Sequence, residues 1–231
     1  MLYAKKIKQT GSYAIVSRVL GCIYEYTTFM FGLKTAMRHI RKNPELIRAA
    51  MEELLQYWSD FAATYLAEVG DFIDVIAING DLAEQTGPLM NPKVYETLIK
   101  PIEGEFIQRI RKISKAPINY HSCGSVVAFL PHFVDIGYTA VNPVQISATD
   151  MEPCSLKQRF GEQISFWGGL CDSQKTLPFG TPEQVKAEVN HNLSCFMPHG
   201  GYVASNIHNI TAEVPAANIV AMFDTAFKFR T

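Results

Sequence analysis

The chain has 231 residues, a formal net charge of −1 and 48% hydrophobic residues. That balance suits a globular protein with a sizeable core and gives no case for nucleic acid as a partner, since no Lys/Arg cluster appears. Five cysteines without a CxxC pair predict free thiols in a reducing compartment. No apolar run reaches the ~18 residues of a membrane span. Met1-Leu2-Tyr3-Ala4-Lys5-Lys6 lacks the apolar stretch of a signal peptide, so the expected location is cytoplasmic.

In chain order, 13–16 reads as a short strand and 22–41 as short helices, ending in Arg38-His39-Ile40-Arg41-Lys42, which suits a C-terminal turn. Asn43-Pro44-Glu45 starts a long helix, with Asn as cap, Pro at the first position and the acid in the first turn. Leu46, Ala50, Leu54, Tyr57 and Phe61 carry it at helical spacing to Glu68, and Gly70 stops it. A strand over 72–78 leads into a polar turn over 79–88. Asn91-Pro92 opens another helix, with Tyr95, Leu98, Ile102, Phe106 and Ile110 on one side and a kink expected at Pro101. Four further strand–helix pairs follow: 117–121 with 125–135, 138–142 with 153–160, 164–167 with 181–195, and 202–205 with 215–227. Repeated βα units predict a parallel sheet of six strands with helices outside, in a single domain over 1-231.

The polar and unusual residues gather after these strands. Asp81, Glu84 and Gln85 follow one strand, His121 and Cys123 end the next, and Asn142 with Gln145, Cys171 with Asp172 and Gln174, and Asn206 with His208 follow the later ones. In a (β/α) barrel those strand ends share the mouth where active sites are built. A general preference of polar residues for loops explains part of the pattern, but not why the loops before the strands are plain. His121 and Cys123 carry an imidazole and a thiol on one face of an extended chain, a donor pair that suits zinc. The competing reading is a buried histidine beside an inert core cysteine. Cys22, Cys154 and Cys195 read as packing residues, and Trp167, beside Gly168-Gly169, as core or as a pocket wall. Gly168-Gly169 and Gly200-Gly201 lack a GxGxxG context and are not a nucleotide loop.

Several motifs together resemble the uroporphyrinogen decarboxylase superfamily of (β/α)8 barrels. They are His121-Ser122-Cys123-Gly124, Asn142-Pro143-Val144-Gln145, Phe166-Trp167-Gly168-Gly169 with Asp172 and Gln174, Leu177 to Glu183, and Gly200-Gly201-Tyr202-Val203 through His208-Asn209-Ile210. The Asp81-Leu82 and Gln85-Thr86-Gly87-Pro88 turn and the Pro101 helix fit too, so the likeness runs from about residue 12 to the C-terminus. The resemblance implies a TIM-type barrel that is incomplete here, with about six βα units and the N-terminal ones missing.

The resemblance implies two chemistries. One branch transfers methyl groups between a corrinoid protein and a thiol, using zinc held by a His-x-Cys pair and a later cysteine. Here His121 and Cys123 match the pair, His208 stands where the later cysteine is expected, and Cys171 reads either as a substitute thiolate or, in preference, as a small apolar filler. Asp81 and Asp172 are then expected to act at the reacting centre, with Gln85, Asn142, Gln145, Trp167 and Gln174 binding substrate. The implied cofactors are Zn²⁺ and a corrinoid on a partner protein, and the implied small molecules are a methyl donor and acceptor; a homo-oligomer is compatible with this. The other branch decarboxylates uroporphyrinogen, a tetrapyrrole, through an aspartate and arginines of an N-terminal region without a counterpart here. The basic residues of this chain, such as Lys34, Arg38, Arg109 and Arg111, fall on helices instead. A third reading is a truncated barrel without catalysis.

Overall fold

The elements that position the site are seen in a computed structural model, which describes residues 2–11 and 13–229. Met1, Ser12, Arg230 and Thr231 belong to the expected domain and lie outside the described residues. The strands are β1 (Val16–Leu20), β2 (Val75–Asn79), β3 (Ala83–Glu84), β4 (Gly87–Pro88), β5 (Ile118–His121), β6 (Ala140–Asn142), β7 (Ser165–Trp167) and β8 (Tyr202–Val203). β3 and β4 form an antiparallel hairpin inside the expected polar turn. The others are the six strands that the βα pattern predicts, with β1 shifted toward the C-terminus from 13–16. The chain divides into two compact units, one of residues 1–81, 90–121 and 131–139, the other of 82–89, 122–130 and 140–231.

In the first unit β1, β2 and β5 run parallel in that order, with Ile76 opposite Ile118 and Asn79 opposite His121. Ile76, Ile78, Ile118 and Tyr120 are fully buried or nearly so, as continuous apolar strands covered by helices must be. The long helix, Pro44–Val69, buries Ile47, Met51, Leu55, Trp58, Ala62 and Leu66. That face is one residue on from the expected stripe: Leu46 is 45% exposed and Tyr57 59%. The reason is visible in the sequence, where apolar residues come in adjacent pairs (Leu46-Ile47, Leu54-Leu55, Tyr57-Trp58), so periodicity gives the helix but not its phase. Asn43 does not cap this helix through its side chain; its amide lies 3.0 Å from His39 Nδ1 instead. Asn91 does cap the next, accepting the Lys93 N–H at 2.9 Å. That helix passes Pro101 through one π-type turn, Tyr95–Ile99, before Lys100–Arg111. The wider turn relieves the missing N–H and ring bulk of the proline, where a kink was expected. The expected helix over 125–135 is confined to Leu130–Ile136.

In the second unit β6, β7 and β8 run parallel, with Phe166 opposite Tyr202. Helices Pro153–Phe160, Pro182–Phe196 and Ala216–Lys228 follow the strands. Thr181 and Gln184 close a capping box at the start of the second. Leu170, Cys171, Leu177, Val185, Val189, Leu193 and Met222 form its core. Cys154 and Cys195, expected as packing thiols, are joined in a disulfide across 41 residues. Linear spacing cannot show such a pair, because two helices bring it together. Cys22, Cys123 and Cys171 take no part in a disulfide.

One buried acid stands out in the first unit. Glu103 is 2% exposed and accepts hydrogen bonds from Tyr95 Oη at 2.9 Å and from Cys22 Sγ at 3.5 Å. Burial pushes its carboxyl up to about 7, against the opposing effect of those bonds. Between about 4.5, its ordinary value, and 7 the folded chain therefore holds a proton that the unfolded chain has lost. Stability contributed by this group is present below that window and falls as pH rises through it, by on the order of 3 kcal/mol. Urea unfolding at pH 4.5 and 7.5 should show that fall in the wild type and a flatter dependence in Glu103→Gln. Equal slopes in the two proteins would refute the assignment.

Candidate metal centre

β5 ends at His121, whose carbonyl accepts the Gly80 N–H at 2.8 Å. The next residue, Ser122, is fully buried. Its N–H donates to the Asn142 carbonyl at 2.7 Å, and its hydroxyl oxygen accepts the Leu82 N–H at 3.0 Å. Gly124 has φ +84°, and a Cβ there would lie 2.6 Å from the Glu84 carbonyl oxygen. Only glycine lets the two backbones approach this closely. The Gly124 N–H donates to Gln145 Oε1 at 2.8 Å, and Gln145 Nε2 donates to Gln85 Oε1 at 2.5 Å. Gln85 Nε2 in turn donates to the Ser147 carbonyl. Half-buried Cys123 is thus held between two fixed backbone points.

His208 approaches from the loop after β8. It has φ +54°, and its carbonyl accepts the Asn206 side-chain amide. Buried Ile207 anchors the loop, and the Ser205 carbonyl accepts the Leu170 N–H at 3.2 Å. The donor atoms of Cys123 and His208, both in the second unit, lie within 4.8 Å of each other, and His121 stands two residues before Cys123 in the chain. In a tetrahedral zinc site neighbouring donors sit roughly 3.5 Å apart, given metal–ligand bonds of about 2.0–2.3 Å. Small rotamer shifts close that gap, so the Cys123 thiolate and the His208 imidazole are a donor pair that suits Zn²⁺.

The remaining expected residues divide in two. Gln85 and Gln145 belong to the network behind Gly124. Asn142 Nδ2 donates to the Trp167 carbonyl at 3.1 Å, which ties the end of β6 to the end of β7. Gln174 Oε1 accepts the Ser147 hydroxyl at 3.4 Å, and Asp172 Oδ1 accepts the Gln174 N–H at 2.7 Å. Cys171 does not join the donor cluster. It is fully buried among Leu170, Leu177 and Val185, and burial, followed by the charges of Glu188 and Asp172, pushes its thiol far above the ordinary range. A thiol so disfavoured as thiolate is a packing residue. Asp81 lies in the first unit beside Glu25, whose carboxyl is raised by burial and then by the charge of Asp81. Sequence reasoning passed over Glu25, because it sits in the first turn of a helix and not after a strand. It also passed over Ser122, although a serine between the His and the Cys was in view.

The uroporphyrinogen decarboxylase (URO-D) family model matches residues 8–229. The chain belongs to the uroporphyrinogen decarboxylase family. Among solved structures this family member is similar to a methyltransferase from Methanosarcina mazei, with a TM-score of 0.73 at 19% identity. The likeness covers 97% of this chain and 62% of that one. At that identity it establishes the fold: α/β, with the parallel strands of a barrel-type architecture. No curated protein matches the chain. Among the described residues, no helix of this uroporphyrinogen decarboxylase family member is long and apolar enough to cross a membrane.

Gly124→Ala tests the clamp. The Cβ meets backbone at a positive φ, so the variant should lose about 2 kcal/mol or more of unfolding free energy. A denaturation midpoint equal to the wild type would show that the clamp can yield.

Proposed function

We propose that this chain is a zinc-dependent methyl-transfer domain, acting between a small-molecule donor or acceptor and a corrinoid carried by a partner protein. The observation that carries this reading is the approach of the Cys123 and His208 donors to within 4.8 Å, with His121 two residues before Cys123. The fold shared with a methyltransferase supports it.

His121 and His208 would each hold the metal through one ring nitrogen, and Cys123 through its sulfur after losing its proton. Bound Zn²⁺ supplies positive charge that favours the deprotonated, nucleophilic form of a substrate thiol or hydroxyl. Ser122 and Gly124 keep Cys123 at a fixed bearing, so little ordering remains to be done when substrate arrives. The Gln145–Gln85 chain holds the loop behind it. Trp167 offers an apolar wall, and Gln174 a side chain able to orient a polar substrate. Asp172 stabilises the turn that presents Gln174 through the bond to its N–H.

Decarboxylation of a porphyrinogen is a second reading, favoured by the family match itself. It requires cationic side chains to receive the substrate carboxylates. Turnover of uroporphyrinogen by this chain would establish it in place of methyl transfer.

Metal analysis separates the readings first. Protein purified without reductant should carry one zinc per chain, and His121→Ala should bind it at least about 100-fold more weakly. Affinity should fall as pH drops, because the thiol and both imidazoles must be unprotonated to bind. Zinc absent from the wild type, or undiminished in the variant, would remove the basis of the proposal.

A further inference from the structure

A second group of metal-binding side chains lies within the second unit. Glu152, Cys154, His191 and Cys195 place one donor atom each within 4.8 Å of the others. Cys154 and Cys195 are disulfide-bonded, yet a disulfide needs only two cysteines. His191 stands one helical turn before Cys195, with Nε2 3.9 Å from Sγ. Glu152 is pinned at the start of the helix Pro153–Phe160, its two carboxylate oxygens accepting the N–H groups of Cys154 at 3.0 Å and Ser155 at 2.6 Å. Each oxygen keeps a further lone pair for a metal. Glu152, Cys154 and His191 are exposed and Cys195 is buried, so the cluster has a rigid floor and an open side. Two sulfurs, one imidazole and one carboxylate are a tetrahedral zinc donor set.

We propose that this cluster is a second, redox-gated zinc site, closed to metal while the Cys154–Cys195 disulfide stands and open once it is reduced. A dithiol supplies the two electrons and two protons: the S–S bond breaks, each cysteine sulfur takes a proton, and the dithiol becomes its own disulfide. Zn²⁺ then displaces both thiol protons and bridges the helices Pro153–Phe160 and Pro182–Phe196 in place of the covalent bond. A Cys154 thiolate at a helix N-terminus is favoured by the adjacent backbone dipoles. The inference is independent of the His121–Cys123–His208 centre and stands whether or not that centre binds metal.

The test uses the full chain carrying Cys123→Ser, which removes the sulfur of the other centre. Four cysteines remain of the five, and two of those four are bonded to each other, so alkylation after denaturation should count two free thiols before treatment with a dithiol and four after it. Co²⁺ is then titrated anaerobically after the dithiol has been removed. The oxidised chain should give no thiolate-to-cobalt charge-transfer band. The reduced chain should give one, at one equivalent, bleached by Zn²⁺. Adding His191→Ala should weaken binding at least about 10-fold, and adding Cys154→Ser should abolish the band. The proposal is overturned if reduction produces no band, if the band survives Cys154→Ser, or if four thiols are already free before reduction. The oxidised and reduced samples have the same sequence, so their comparison does not depend on any variant folding.

Discussion

The close approach of Gly124 to the Ala83–Glu84 backbone is the constraint on which the site depends. A parallel strand that ends in a long side chain leaves that side chain free to swing. Here the chain after β5 is caught at once, by the Ser122 bonds to Leu82 and Asn142 and then by Gly124 against β3. Cys123 lies between the two catches, one residue from each. The hairpin β3–β4, which looks like a mere polar turn in sequence, is what makes the second catch. The Gln145–Gln85 bond ties the loop after β6 to the same hairpin. Three separate loops therefore share one hydrogen-bonded frame around a single sulfur.

Much of this was legible in the sequence. Glycine and proline punctuation gave the alternation of strands and helices, and the helix Pro153–Phe160 emerged with its expected bounds. What failed did so for identifiable reasons. The inward face of Pro44–Val69 was ambiguous because adjacent apolar residues satisfy two phases equally, and only packing chooses Ile47 over Leu46. At Pro101, where a kink was expected, the helix passes through a π-type turn, Tyr95–Ile99, a detail that periodicity does not show. Asn43 was taken as a side-chain cap, but its amide turns toward His39.

The site divides along the same line. His121 and Cys123 share a strand end, so local period-two geometry put them together. His208 is far along the chain, and its place beside Cys123 is a matter of tertiary structure that the order of βα units made expectable. Cys171 shows the limit of that logic. It also follows a strand, yet its side chain turns into the core with Leu170 and Leu177. Position after a strand selects a neighbourhood, and the rotation of one residue decides between ligand and filler. Cys154 and Cys195 lay outside every pattern tied to strand ends, because helix-to-helix packing alone joins them.

The central claim concerns a centre with one sulfur and two nitrogens, and X-ray absorption at the zinc edge reads that composition directly. On unreduced protein the account predicts a single sulfur scatterer at about 2.3 Å and two imidazole nitrogens at about 2.0 Å. Two or more sulfurs, or a shell of oxygen alone, would contradict it.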